Sequence, residues 1–281
     1  MNKKILLPTD FSKNSWNAIQ YAINLYENEL CDFYVLNTYA KEVYGLDSYE
    51  ILDPDHLFNK SSEKRSKEGL GDIMVRLTFQ NDNPKHRFFV LSYSTMFLST
   101  IKKVVEDLQF DLIVMGAKGT NLNRAKQYGK NTLDVIENVR HCPILVVPTN
   151  VTFNHPKEIV LVTNFDRDFN IAEVKHLADI AQITKASIEV VSTIDNCDLT
   201  PQQKENKMLL RQNFKNIDYR FRVLHNVKMK SALSCFVEIR HSGMISFIDK
   251  KPSLFEWLGL GSSSLGKLGF FKDVPVLALH G

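Results

Sequence analysis

An internal duplication is the feature of this sequence that most restricts its fold. Residues 3–12 form an apolar run that ends in Thr9, one polar residue and Phe11, and residues 157–166 repeat the same arrangement. An amphipathic stretch follows in both copies, which predicts a strand, a turn and a helix each time. Self-similarity of this kind indicates two related structural units in one chain.

The ends of the two halves correspond as well. Two apolar runs of the first half have partners at the same spacing in the second half: 111–115 with 243–247, and 142–147 with 274–279. Gly129 and Gly261 lie at equal distances before the later of these runs. We therefore predict two domains, residues 1–150 and residues 151–281. The boundary should fall in the polar stretch 148–156, which has a proline at each end.

Further apolar runs bring each half to five predicted strands: 33–36 and 87–91 in the first half, and 188–191 and 219–224 in the second. Helical patterns separate the strands at 62–79, 95–107, 132–140, 200–214 and 231–240, and the fourth begins with a capping box of Thr200 and Gln203. Residues 39–60 are predicted to be a long surface connection. Alternating strands and helices predict right-handed crossovers and a parallel sheet. The predicted fold class is α/β, with two tandem doubly wound domains. Each domain would be a five-stranded parallel sheet with helices on both faces.

Composition excludes several kinds of partner. The net charge is only +3 over 281 residues, and the basic residues are scattered, so nucleic acid is not an expected partner. The first residues are too polar for a signal peptide, and no apolar run approaches the ~20 residues of a membrane span. The four cysteines form no CxxC pair and the histidines no ligand pattern, so no metal site is predicted. We expect a cytoplasmic protein without membrane contact.

The candidate ligand site lies in the first half. In an open parallel sheet, ligands bind beyond the carboxyl ends of the strands, where the strand order reverses. The residues expected there are Pro8, Thr9 and Asp10 after the first strand, Thr38 after the second, Met115, Gly116 and Gly119 at the fourth, and Gly129, Lys130, Asn131 and Thr132 opening the last helix. Glycines let backbone N–H groups approach phosphate oxygens, and a helix N-terminus adds free donors and a positive dipole end. Asp10 could accept a hydrogen bond from a ribose hydroxyl or an adenine amino group, and Thr132 could offer a hydroxyl.

These residues carry a family resemblance. The whole chain resembles a tandem member of the universal stress protein family. The nucleotide-binding branch of that family has an Asp after the first strand and a Gly-x2-Gly-x9-Gly-(Ser/Thr) signature after the fourth. Gly116, Gly119 and Gly129 have this spacing, and Asp10 stands at the position of the Asp. The resemblance implies a fold like that of the adenine nucleotide alpha hydrolases. It also implies a site for ATP or another adenine nucleotide, with Mg²⁺ as its companion ion.

Lys130 departs from this signature, because the binding branch has Ser or Thr at that position. Its ammonium could replace the hydroxyl as a phosphate donor. Alternatively, its long side chain could point to solvent and leave the pocket weakened or empty.

The second half departs further from the signature. Ile248 stands at the place of Gly116, Lys251 at that of Gly119 and Asn164 at that of Asp10, whereas Gly261 is retained and is followed by serine. Side chains therefore occupy positions where the backbone would have to approach phosphate. We predict a degenerate domain that does not bind ATP and serves as a packing partner for the first.

These features predict a stress-response or regulatory protein that binds ATP or a related adenine nucleotide in its first domain. Efficient hydrolysis is not expected, because the sequence has no Walker motif, no arginine finger and no identifiable base, so we do not predict an enzyme. One alternative is a ligand-independent interaction or chaperone-like protein in which both pockets are lost. Another is a small-molecule enzyme on the same scaffold, although no paired nucleophile and base can be identified.

The last strand of each half is a predicted sheet edge. The family resemblance suggests that such edge strands pair between domains. Pairing of residues 144–147 with 276–279 inside the chain would hide both edges and make a pseudo-dimer. A homodimer of whole chains would also fit this sequence, and any downstream protein partner cannot be named from it.

Overall fold

Strands and helices alternate through both halves of the chain. The computed structural model describes residues 2–39, 54–118, 128–166, 168–249 and 264–280. The first half contains β1 (Lys3–Pro8), α1 (Lys13–Leu25), β2 (Cys31–Thr38), α2 (Pro54–Gln80), β3 (His86–Tyr93), α3 (Phe97–Leu108), β4 (Leu112–Gly116), α4 (Lys130–Asn138) and β5 (Ile144–Val147). The second half contains β6 (Glu158–Val162), α5 (Ile171–Thr184), β7 (Ser187–Ser192), α6 (Pro201–Phe214), β8 (Tyr219–Val223), α7 (Met229–Arg240), β9 (Met244–Asp249), the short α8 (Ser264–Leu268) and β10 (Val276–His280).

The ten described strands form one continuous sheet in the order β3-β2-β1-β4-β5-β10-β9-β6-β7-β8. Within each half all paired strands are parallel, which confirms the predicted α/β class and the five strands of each half. The two halves meet at β5 and β10, which pair antiparallel with Leu277 opposite Leu145. These are the two strands whose pairing the sequence suggested.

Helices cover both faces of the sheet and form two cores. The apolar side chains of α1, α2, α5 and α6 pack on one face, and those of α3, α4, α7 and α8 pack on the other. Central strands such as β4, β5 and β10 are buried along their whole length. Burial on both faces explains why these strands are continuous apolar runs in the sequence rather than alternating ones.

Three helices, α1, α5 and α6, begin at a side-chain cap. The capping box predicted at the start of α6 is present: the Thr200 side chain accepts from the Gln203 N–H, and the Gln203 side chain accepts from the Thr200 N–H. The predicted start of α2 at residue 62 is wrong, because the helix already begins at Pro54. Proline suits the first helical turn, since its φ is fixed near the helical value. Residues 54–60 therefore belong to α2 rather than to the predicted connection, and residues 40–53 lie outside the described part of the chain.

The duplicated turn of the sequence is also duplicated in conformation. Phe11 and Phe165 both have positive φ, 62° and 59° respectively. This conformation is uncommon for a bulky residue. In each copy the phenylalanine N–H donates to the hydroxyl of the threonine two residues earlier, at 3.0 Å for Thr9 and 2.9 Å for Thr163. The same side chain–backbone bond therefore stabilises the same strained turn in both halves.

Residues 148–157 connect β5 to β6 without a strand or helix. The predicted domain boundary near residue 150 lies in this segment and remains a prediction. Among the described helices, none is both long and apolar enough to cross a membrane.

Candidate functional site

The strand order of the first half places the ends of β1 and β4 beside each other. β1 pairs with β2 on one side and with β4 on the other, so the strand order reverses between β1 and β4. The carboxyl ends of the two strands border the crevice in which open α/β sheets bind ligands. Pro8 and Thr9 lie at one side of the crevice, and Met115 and Gly116 lie at the other.

The turn after β1 exposes Asp10. Thr9 is buried and its hydroxyl contacts the Ser15 hydroxyl at 3.0 Å, which fixes the turn against the start of α1. Ser12 is the N-cap of α1 and accepts from the Ser15 N–H, while its own N–H donates to Asp10 Oδ1 at 3.1 Å. Asp10 itself is exposed at the carboxyl edge of the sheet. Its carboxylate can therefore accept a further hydrogen bond from a ligand.

Gly116 has a packing reason to be glycine. A Cβ at this position would lie 3.2 Å from the carbonyl oxygens of both Asn14 and Lys118. The Asn14 side chain also donates to the Lys118 carbonyl at 3.3 Å. The absence of a side chain therefore lets the end of β4 approach the first turn of α1. The sequence suggested only an approach to phosphate for this glycine.

The start of α4 has no side-chain cap. Gly129 is its N-cap residue, with extended φ and ψ of −65° and 149° and no capping side chain. The first backbone N–H groups of a helix have no acceptor within the helix, and Lys130, Asn131 and Thr132 occupy this first turn. Lys130 and Asn131 are exposed. N–H donors without an acceptor in the helix, the positive end of the helix dipole and a lysine together favour an anion at this point.

The Thr132 hydroxyl bonds within the protein, whereas the sequence suggested that it could be offered to a ligand. Thr132 is almost fully buried, and its hydroxyl donates to the carbonyl of Gly116 at 3.1 Å. That bond ties the first turn of α4 to the end of β4. The hydroxyl hydrogen is thus directed at the protein, and Thr132 positions the helix in this structure.

The structure brings most of the predicted site residues to one edge of the sheet. The residues at that edge are Pro8, Thr9, Asp10, Met115, Gly116, Gly129, Lys130, Asn131 and Thr132. Thr38 ends β2, which lies on the side of β1 away from β4. Gly119 lies outside the described residues. No group of three or more potential metal ligands occurs among the residues that are described.

In the second half, the turn that corresponds to the Asp10 turn is bonded to the neighbouring strand β7 by its own side chains. Asn164, which stands at the place of Asp10, accepts from the Thr193 N–H at 2.9 Å and from the Ser192 hydroxyl at 3.2 Å. These bonds link the turn after β6 to the end of β7. The side chain that could contact a nucleotide in the first half is therefore used inside the protein in the second.

An ion pair stands at the end of β9. Ile248, at the place of Gly116, is followed by Asp249, whose side chain is 1% exposed and pairs with Arg140 from the first half. A buried carboxylate with its own guanidinium partner disfavours a phosphate at this position. Lys251 and Gly261, the other signature positions of this half, lie outside the described part of the chain.

Asn14 and Lys118 were not predicted as part of the site. Both act through contacts between segments that are distant in the chain, and neither belongs to a local motif. Only the short spacing of Lys118 from Gly116 could have drawn attention to it.

Comparison with known proteins identifies the family of this chain. The universal stress protein family model matches residues 1–148. The fold is similar to a universal stress protein from Archaeoglobus fulgidus DSM 4304, with a TM-score of 0.72, 16% identity and coverage of 99% of this chain and 98% of that one. It is also similar to PA1789 from Pseudomonas aeruginosa PAO1, a protein of unknown function, with a TM-score of 0.57, 12% identity and coverage of 99% and 92%. A comparison with curated protein sequences finds no significant match. At such identities the structural matches show the fold, whereas the family match covers more than half of the sequence, so the chain belongs to the universal stress protein family.

Proposed function

We propose that residues 1–150 form a domain that binds ATP or a related adenine nucleotide, and that the chain acts as a stress-response regulator. The observation that carries the proposal is the uncapped N-terminus of α4, which lies directly beside the end of β4. The first N–H groups of a helix have no acceptor within it, and together with a lysine at the first helical position they make a site for a phosphate chain.

The other end of the nucleotide would be held at the turn after β1. Asp10 is exposed there, and its carboxylate can accept from a ribose hydroxyl or an adenine amino group. Lys130 would supply a positive charge to the phosphates. Mg²⁺ would enter with the phosphates, because it prefers phosphate oxygens and water over a site made wholly of protein.

The proposal assigns no nucleotide to residues 151–281. This half keeps the strained turn at Phe165 but uses Asn164 to bridge β6 and β7, and it holds the Arg140–Asp249 ion pair at the end of β9. We regard it as a degenerate copy whose role is to pack against the first domain.

Regulation rather than turnover is proposed for the site. The sequence has no Walker lysine motif and no residue that stands out as a base to orient water. Binding would change the stability of the first domain, since a ligand that binds only the folded state stabilises it.

The test is titration calorimetry with ATP and Mg²⁺ on nucleotide-stripped protein. Gly116 is unsuitable for substitution, because any Cβ there would crowd the start of α1 whether or not a ligand binds. We instead compare Asp10→Ala with Asp166→Ala, which removes the same charge from an exposed position in the equivalent turn of the second half.

We expect the wild type to bind one nucleotide and Asp10→Ala to bind about tenfold more weakly, since hydrogen bonds to charged groups contribute about 1.5–3 kcal/mol. Asp166→Ala should match the wild type. If the wild type shows neither heat nor thermal stabilisation with ATP, ADP or AMP, the nucleotide proposal is wrong.

The second candidate is a ligand-independent interaction protein. It is favoured by one observation: Gly116 and Thr132 both have packing or hydrogen-bonding roles within the protein itself. A folded protein without affinity for ATP, ADP or AMP would support this candidate.

A further inference from the structure

Lys118 and Tyr128 stand at the two ends of a chain segment that follows β4. The N–H of Gly129 donates to the carbonyl of Ala117 at 2.8 Å, and a Cβ on Gly129 would lie 3.4 Å from Lys118 Cα. The chain therefore leaves β4 and returns to α4 at almost the same place. We call Lys118 and Tyr128 the stem residues. They lie beside the start of α4, whose N–H groups would face the phosphates.

The second half of the protein contacts both stem residues. The Lys118 ammonium lies 5.1 Å from the centre of the Phe270 ring. The Tyr128 ring meets the same phenylalanine edge-on, with 5.0 Å between ring centres. The N–H of Phe271 donates to the Tyr128 hydroxyl at 3.3 Å. Two adjacent residues of the second half thus contact both stem residues beside the start of α4.

Tyr128 is a neutral partner in this contact. It is 8% exposed, and burial raises its pKa to about 12. The phenol therefore keeps its proton at physiological pH and can accept the Phe271 N–H through an oxygen lone pair. The contact adds no negative charge beside the proposed phosphates.

Local structure explains how the second half places these phenylalanines. Leu265 of α8 is fully buried in the core shared with α7 and Tyr128. The helix ends at Leu268, and Gly269 follows with φ of 117°, a conformation that side chains rarely allow. This glycine turns the chain so that Phe270 and Phe271 come to lie against the first half.

A contact of the same kind exists in the opposite direction. Arg140, two residues after the end of α4, pairs with Asp249 at the end of β9 and also donates to the Asp249 carbonyl at 2.8 Å. By the duplication, Asp249 corresponds to Ala117. The end of the last helical segment in each half therefore contacts the end of the fourth strand of the other half.

We propose that Phe270 is a positioning residue for the nucleotide site of the first domain. It acts through the stem residues and does not touch the ligand. The inference rests on the proposed nucleotide function and assigns the degenerate half a regulatory part in it. Loss of the ring removes a cation–π contact and an aromatic pair, which together correspond to about a tenfold change in an equilibrium constant.

The test uses the whole chain and compares Phe270→Leu with Phe236→Leu. Phe236 is a matched control, because its ring also lies under a cation, the Arg240 guanidinium at 5.5 Å, but within the second half. Leucine keeps apolar volume at both positions. Three quantities are measured: the Kd values of ATP and AMP, the melting temperature without ligand, and the hydrogen-exchange rate of the Gly129 amide.

We expect Phe270→Leu to weaken ATP binding about tenfold and to reduce the preference for ATP over AMP, because the stem residues position the start of α4, whose N–H groups would face the phosphates. The Gly129 amide should exchange faster without ligand, while Phe236→Leu resembles the wild type in both respects.

Two outcomes would overturn the inference. Equal ATP affinity and equal Gly129 exchange in the wild type and Phe270→Leu would show that the contact positions nothing, and the nucleotide proposal would stand. Absence of ATP binding in the wild type would instead reject the proposed function, and with it a nucleotide role for Phe270, even if Gly129 exchange still responded to the substitution.

Discussion

Lys130 occupies the first helical position of α4, where family members that bind nucleotides have a hydroxyl. Its side chain is exposed, and its charge adds to the positive end of the helix dipole. We predict that Lys130→Ala weakens ATP binding about tenfold, because a charge-assisted hydrogen bond to phosphate contributes about 1.5–3 kcal/mol. AMP, with fewer charges, should lose less affinity. Calorimetry at two salt concentrations checks this, since the loss should shrink as salt screens the charge.

Lys103→Ala is the control for that prediction, because Lys103 is an exposed lysine of α3 in the same domain. A second variant, Lys130→Ser, restores the hydroxyl of the family signature. Tighter binding by Lys130→Ser than by the wild type would contradict a phosphate role for the ammonium.

At the scale of single residues, the sequence predicted those site residues that belong to a local motif. The spacing of Gly116 and Gly129 and the position of Asp10 after β1 were sufficient to place them at one edge. The hydrogen bond of Thr132 to Gly116 and the contact of Lys118 with Phe270 depend on tertiary packing. No local pattern records such contacts, so these roles required the structure.

Helix α2 contains two glycines that offer a matched comparison. A Cβ on Gly71 would meet nothing within 4 Å, whereas a Cβ on Gly69 would lie 2.7 Å from atoms of the Phe11 ring. Alanine is more favourable than glycine in a helix by about 1 kcal/mol. We predict that Gly71→Ala raises the free energy of unfolding by about that amount, and that Gly69→Ala gains less because the ring must move. Urea unfolding of both variants gives the difference.

The double variant Phe11→Ala, Gly69→Ala serves as the check on this explanation. Relative to Phe11→Ala alone, it should recover the full gain seen for Gly71→Ala. Equal gains from the two single glycine variants would mean that the Phe11 ring can leave α2 without cost.

At the scale of elements, the sequence predicted all ten described strands and the helices between them except the short α8, which was not predicted. Buried parallel strands are easily recognised as short apolar runs, and the duplication supports each assignment twice. The start of α2 was placed too late, because its first turn, at Pro54, lies before the clearly patterned part of the helix. Helix ends depend on backbone and capping details that hydrophobic periodicity does not record.

At the scale of the whole molecule, the duplication predicted two similar halves, and the family resemblance suggested the pairing of their last strands. It did not predict which side chains hold the halves together. Two contacts do so: His280 of β10, which also contacts Glu173 of α5, reaches the carbonyl of Ile136 in α4, and Arg140 pairs with Asp249. Both contacts lie at the carboxyl ends of strands in the second half, where the first half has its candidate nucleotide site.

The Arg140–Asp249 pair allows a direct measurement of the coupling between halves. Their side chains are 14% and 1% exposed, so removal of the Asp249 carboxylate leaves the Arg140 guanidinium largely buried without that counter-charge. We predict that Asp249→Ala lowers the free energy of unfolding by about 3 kcal/mol. The double variant Arg140→Leu, Asp249→Leu should cost less, because neither charge then remains. Glu68→Ala, which breaks the exposed Lys64–Glu68 pair, should change stability by no more than about 0.5 kcal/mol.

The double variant distinguishes two accounts of how the halves associate. If it is nearly as stable as the wild type, the apolar β5–β10 pairing is sufficient for association of the halves. The ion pair would then only fix the position of the end of β9. If the double variant loses as much as Asp249→Ala, the pair itself contributes net stability across the interface. A loss below 1 kcal/mol for Asp249→Ala alone would contradict both accounts, since it would mean that Arg140 reaches water once its partner is removed.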